Sequence, residues 1–293
     1  MLTIDGVTKQ YGDRRVLDDV TFTVGDGRLT GFVGGNGAGK TTTMRILLGV
    51  LQADAGTVSI DGTTIGPADR RRFGYMPEER GLYPKMPVAE QITYFARLHG
   101  VDKRTAASRT TDLLDRLGLA PHADDAVEKL SLGNQQRVQV AAALAHDPEV
   151  LVLDEPFSGL DPMAVDVVLA VLREAAAGGV PVLFSSHQLD VVERLCDDVV
   201  VIAGGTIRAA GPQDELRKQA GPPAWELLVE GDVAWLRDEP GVTVREFDGG
   251  YAVFEADDPT AQRVLQRAVQ HGTVGSFSPR VPRLSEVFRE VVR

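Results

Sequence analysis

Leu29-Thr-Gly-Phe-Val33 runs directly into Gly34-Gly-Asn-Gly-Ala-Gly-Lys40-Thr41-Thr42. The first piece is a short apolar run and reads as a strand; the second has the spacing of a phosphate-binding loop opening a helix. Gly34, Gly35, Gly37 and Gly39, with Asn36 and Ala38 between them, let the backbone curl until several N–H groups point inward. A helix starting near Lys40 adds the positive end of its dipole. Lys40 then reaches β- and γ-phosphates, the Thr41 hydroxyl can ligate Mg²⁺, and Thr42 lies on the same turn. The competing reading is a chance glycine-rich turn, which explains neither the strand before it nor the helix after it.

Around this loop, short apolar β-branched runs alternate with amphipathic helical patterns, which predicts an α/β fold with a mainly parallel sheet. Arg72 to Met76, Val150 to Leu153 and Val182 to Phe184 are further candidate strands. Val150-Leu-Val-Leu153 is continuously apolar, as a central strand buried on both faces should be. Thr3-Ile4 and Val20 to Val24 alternate like half-exposed antiparallel strands. Between Pro87 and about Ala120, Ile92, Phe95, Ala96 and Leu98, then Leu113, Leu114, Leu117 and Leu119, recur at helical spacing and predict a helical insertion.

Two further stretches carry chemistry. Leu151-Val-Leu-Asp-Glu-Pro156 ends a buried strand in two carboxylates, so Asp154 can hold Mg²⁺ and Glu155 can orient or deprotonate water. An acidic pair closing a strand is often only a solvated turn; joined to a phosphate loop it is a stronger signal. Leu130-Ser-Leu-Gly-Asn-Gln-Gln-Arg137 offers a hydroxyl and an N–H-rich helix start, and by itself reads equally as a Ser N-cap.

With these residues in place the chain resembles the ABC ATPase family, a P-loop NTPase cassette with an antiparallel β subdomain and a helical insertion at about residues 85–145. Ser131, Gly133, Asn134 and Gln135 fall on its signature loop, usually Leu-Ser-Gly-Gly-Gln, from which Leu132 and Asn134 depart. The resemblance implies that this loop faces the nucleotide of a second cassette. It also implies adenine stacking by Tyr11, communication across the dimer by Asp161 in Ser158-Gly-Leu-Asp-Pro162, and γ-phosphate sensing by His187 in Phe184-Ser-Ser-His187. Taken alone, Tyr11 reads as core or rim, Asp161 as a turn and N-cap, and His187 as a structural histidine. Glu78 in Gly74-Tyr-Met-Pro-Glu-Glu79 stands where the family has a glutamine; a carboxylate can still ligate Mg²⁺ but donates no hydrogen bond at neutral pH. Glu79 and Arg80 read as solvated neighbours.

The family match implies ATP and Mg²⁺ as cofactors, Lys40, Glu155 and His187 as the catalytic set, a second ABC ATPase subunit, with a homodimer expected and a heterodimer open, and a separate integral membrane permease. The expected location is the cytoplasmic face of the membrane. Pro77-Glu-Glu-Arg-Gly-Leu-Tyr83 and Gly133-Asn-Gln-Gln136 are most similar to the bacterial ABC-2-type exporter ATPases.

The 293 residues suit two domains, expected at 1–219 and 220–293 with Ala220-Gly-Pro-Pro-Ala224 as linker. The second reads as a small α+β ferredoxin-like unit: strands at Trp225 to Glu230, Val242 to Phe247, Tyr251 to Glu255 and Val274 to Ser278, with helices at Val233 to Arg237, Pro259 to Gln270 and Leu284 to Val292. A net charge of −11 argues against a broad nucleic-acid footprint. One cysteine, Cys196, permits no internal disulfide, and no run approaches a membrane span. Two other readings stay open: a soluble ABC protein of translation or DNA maintenance, and a P-loop small-molecule kinase, which leaves the signature loop, Asp161 and His187 unexplained.

Overall fold

The computed structural model describes residues 1–79, 81–219 and 221–291; Arg80, Ala220, Val292 and Arg293 lie outside the described residues. Its contacts divide the chain into two units, Met1–Gln213 and Asp214–Val291.

In the first unit, Thr3-Ile4 belongs to β1 (Leu2–Tyr11), which pairs antiparallel with β2 (Arg14–Val24). The hairpin turns on Gly12, at φ 56°, and so sets Tyr11 opposite Arg14. A second sheet begins with β3 (Leu29–Val33), all of whose residues are buried, and its chain enters α1 (Lys40–Leu47). After β4 (Ala55–Ile60) and β5 (Thr63–Thr64), which complete the first sheet in the order β2-β1-β4-β5, α2 (Pro67–Arg70) leads into β6 (Phe73–Met76).

The insertion then runs through α3 (Val88–Leu98), α4 (Lys103–Arg116) and α5 (Leu132–Leu144). Ile92, Ala96, Leu113, Leu114, Leu117 and Leu119 are buried as their spacing predicts, but Leu98, on the last turn of α3, is 62% exposed. Helix α5 buries Gln136, Val138, Gln139, Val140, Ala141 and Ala143, more than one face of its barrel, so two of its buried side chains are polar.

The larger sheet is completed by β7 (Val150–Asp154), α6 (Pro162–Ala177), β8 (Val182–Ser186), α7 (Leu189–Leu195), β9 (Asp198–Ala203) and β10 (Thr206–Pro212). Its order is β10-β9-β3-β8-β7-β6. Only the β10–β9 pair is antiparallel. Strand β7, expected to be central, is interior but next to the edge strand β6; β3 and β8 hold the middle. The phosphate loop, the Asp154–Glu155 corner and the His187 loop follow β3, β7 and β8 and therefore share the carboxyl edge of one parallel sheet, where α/β folds place ligands.

The second unit opens with α8 (Gln213–Gln219) at its margin and contains β11 (Ala224–Val229), β12 (Thr243–Asp248), β13 (Tyr251–Glu255), α9 (Asp258–His271), β14 (Val274–Arg280) and α10 (Leu284–Val291). All pairings are antiparallel, in the order β12-β13-β11-β14. The helix expected at Val233 to Arg237 is instead a short 3₁₀ turn, Ala234–Asp238. Pro240 explains it: the residue before a proline is driven to extended backbone, and Glu239 sits at ψ 122°. Leu227, Phe254, Ala261 and Val264 form this unit's core, and Trp225 stacks on Phe277 at 4.9 Å.

Candidate active site

Gly37 and Gly39 take φ values of 74° and 115°, and a Cβ on Gly39 would lie 2.5 Å from Leu17 Cδ2. Both positions take the left-handed backbone that glycine adopts without a steric penalty, and at Gly39 a Cβ would also press on the Leu17 side chain. The curl leaves Lys40 folded back on the loop, its Nζ donating to the Gly34 carbonyl at 2.7 Å and reaching Gly35 O at 3.4 Å. A phosphate entering the loop would replace these carbonyls as the partner of the ammonium.

A cleft of about 630 Å³ opens above the loop. Into it the structure brings Tyr11, Gly35, Asn36, Gly37, Ala38, Gly39, Lys40, Thr41, Thr42, Glu78, Asp154, Glu155 and His187. Gly34 lies just below, against Ile202, and does not line it. Tyr11 is half exposed on the tip of the β1–β2 hairpin at the cleft's rim, with the Lys9 ammonium over its ring at 5.6 Å. Arg14 and Val16 also line the cleft and were not foreseen from sequence. The register pairing of Tyr11 with Arg14 across a two-residue turn is the signal that could have found Arg14.

Asp154 is 2% exposed; its Oδ1 accepts from Ser185 Oγ at 2.5 Å and its Oδ2 lies 3.4 Å from Thr41 Oγ1. A hydroxyl and a carboxylate converging on the cleft are the hard oxygen donors that suit Mg²⁺, which takes its other ligands from water and phosphate. Among the described residues no group of three or more His, Cys, Asp or Glu side chains could by itself hold a metal ion.

Glu155 occupies a left-handed backbone position, φ 53°, unusual for a non-glycine residue and held only where surroundings enforce it. Its N–H donates to Ser185 Oγ at 2.9 Å, and its carbonyl accepts from Gln136 Nε2 at 2.9 Å and Ser158 N at 3.1 Å. Oε1 meets His187 Nδ1 at 2.9 Å. Burial raises the Glu155 pKa above the ordinary carboxylate value, and the His187 hydrogen bond opposes that rise. A desolvated carboxyl with a raised pKa, facing an exposed histidine, is suited to general-base work. Ser185 was also not singled out from sequence; the hydroxyl pair Ser185-Ser186 closing a buried strand that is otherwise apolar was its signal.

The remaining expected residues gather elsewhere. Ser131 caps α5, accepting from Asn134 N at 3.2 Å, and Asn134 Oδ1 accepts from Arg137. Gln135 Nε2 donates to Val127 O at 3.2 Å and Leu130 O at 3.1 Å. Gly133 lies against Gly159 and Leu160, and Asp161 caps α6 by accepting from Ala164 N at 2.9 Å. None of Ser131, Gly133, Asn134, Gln135 or Asp161 lines the cleft. Within one chain they form a separate edge, where the first turn of α5 offers N–H groups.

The profile of the ABC transporter family matches residues 17–158, and that of the ATP-binding protein DrrA1-3-like C-terminal domain matches residues 211–292. The ABC transporter ATP-binding protein YhaQ of Bacillus subtilis is 36% identical over 293 residues, covering 100% of this chain and 98% of its own. The Nod factor export ATP-binding protein I of Ralstonia nicotianae is 41% identical over 219 residues, 74% of this chain and 68% of its own. A solved ATP-binding subunit of an ABC transporter superposes with a TM-score of 0.69 at 33% identity, covering 75% of this chain and 92% of that one.

Proposed function

Since the chain belongs to the ABC transporter ATP-binding proteins, ATPases whose hydrolysis drives transport, we propose that two copies close head to tail on two ATP and drive export through a separate membrane permease. The observation carrying this is the separation within one chain: a cleft holding Lys40, Asp154, Glu155 and His187, and an N–H-rich edge at Ser131 that does not line it. A second copy supplies the missing edge to each cleft. Export is supported by the likeness to a Nod factor export ATP-binding protein and by the DrrA-like C-terminal match.

In this reading Tyr11 stacks on adenine, the loop N–H groups and Lys40 hold the phosphates, and Thr41 and Asp154 would hold Mg²⁺, with Glu78 beside them. Bound Mg²⁺ neutralises phosphate charge. Glu155 accepts the proton of the attacking water, and its buried position and its hydrogen bonds to Ser185 and Gln136 fix the direction of that acceptance. His187 orients the Glu155 carboxylate and turns its exposed face toward the γ-phosphate. Closure persists only while γ-phosphate bridges both chains, so hydrolysis reopens the pair.

On the insertion, Tyr83, Tyr94 and Leu98 are exposed, and Tyr83 and Tyr94 pack edge to face at 6.0 Å. This aromatic surface receives the permease. No described helix is long and apolar enough to cross a membrane, and in this reading the permease provides the path. Purification of the tagged chain from native membranes tests this reading: a stoichiometric multi-span protein should accompany it, whereas ribosomes or DNA alone would favour the soluble alternative.

A further inference from the structure

Helix α5 carries two buried glutamines one turn apart, and each reaches a backbone carbonyl of a different catalytic loop. Gln136, 4% exposed, donates from Nε2 to the Glu155 carbonyl at 2.9 Å. Gln139, also 4% exposed, donates to the Pro77 carbonyl at 3.2 Å, immediately before Glu78, and its Oε1 has no partner among the described residues. The same helix begins at Ser131. One rigid element therefore touches the signature edge, the water-activating corner and the Glu78 loop.

The Glu155 corner needs such support. Its positive φ is a strained conformation, and Ser158 N–H alone would leave its carbonyl with one donor in place of two. A bond to a buried amide fixes the peptide plane and so the direction in which the side chain leaves it. A displacement of about 1 Å at such a carboxylate can cost on the order of 100-fold in turnover.

We propose that Gln136 is a positioning residue for hydrolysis: through its hydrogen bond to the Glu155 carbonyl, α5 sets the attitude of the carboxylate that activates water. This rests on the reading of Glu155 as the water-activating group.

The test is steady-state ATP hydrolysis by the purified full chain, comparing the parent with Gln136→Met, Gln136→Glu and Glu155→Gln. Methionine keeps the length and unbranched shape but removes the donor. Its kcat should fall about 10- to 100-fold, the scale of one buried hydrogen bond lost from a catalytic group, with KM for ATP unchanged. Glutamate at this buried site can donate only while protonated, so the ratio of its kcat to the parent's should climb as pH falls from about 8 to 6. A parental kcat in Gln136→Met, or a Gln136→Glu ratio flat with pH, overturns the proposal. If Gln136→Met does not fold, the glutamate ratio decides alone. Failure of the Glu155 reading is separately visible, because Glu155→Gln would then retain turnover.

Discussion

Every residue of β3, β7 and β8 is buried, whereas β12 and β14 alternate between half-buried and exposed positions. These three strands of the first unit are enclosed on both faces, so the polar side chains that reach solvent there come from the loops that follow them. The cleft therefore forms at the ends of β3, β7 and β8. In the second unit Leu227, Ala252 and Phe254 cover one side of the sheet in apolar contact, while Arg280 pairs with Glu226 at 3.8 Å, Glu246 at 3.5 Å and Glu286 at 3.0 Å. Exposed pairs of this kind contribute little each. The contrast separates a unit whose topology concentrates chemistry at one edge from a unit whose charges are distributed and mutually satisfied.

The largest expected effect lies at the cleft. Lys40→Ala removes the cation that the phosphate loop presents, and ATP turnover should fall by at least about 100-fold, as when a charge-stabilising group is lost. Parental turnover in a coupled-enzyme assay would move the active site elsewhere. The acid limb of the kcat–pH profile comes next. Because burial raises the Glu155 pKa, the carboxylate that accepts the water's proton is lost at a higher pH than an ordinary glutamate would be, and turnover should fall as pH drops through that raised value. A limb in the ordinary carboxylate range contradicts this.

In the second unit Phe254→Ala should cost about 3–5 kcal/mol of that unit's stability, measured by denaturant unfolding, because it empties a fully buried ring site. Turnover should stay at the parent's level; its loss would show that the chemistry depends on both units. The smallest effects come from two matched caps. Asp161 and Asp257 each accept from a backbone N–H three residues on, both at 2.9 Å. Either change to alanine should cost about 1 kcal/mol in thermal unfolding. Only Asp161→Ala should also slow hydrolysis, if that loop meets the second copy; equal turnover in both variants reduces Asp161 to a cap.

Legibility in the sequence followed the same division. Gly34 to Thr42, Asp154 and Glu155 were readable because each is a fixed residue type at a strand end, and the strand could be seen as an apolar run. Gln136 and Ser185 were not, since their parts come from partners far away in sequence: Gln136 meets Glu155 across 19 positions, and Ser185 meets Asp154 across 31. Spacing does not encode such meetings. Leu98 misled in the other direction, being apolar, correctly phased and exposed. The 3₁₀ turn at Ala234–Asp238 was signalled by Pro240 only as an end, with too few residues before it for a helix.

The central claim, that each cleft is completed by the Ser131 edge of another copy, is tested most directly by light scattering of Glu155→Gln on a sizing column with saturating ATP and Mg²⁺. The account predicts a mass near twice the 31.5 kDa of one chain, reverting when Ser131 is also replaced by arginine. A monomer with ATP bound, or a dimer indifferent to Ser131, would contradict it.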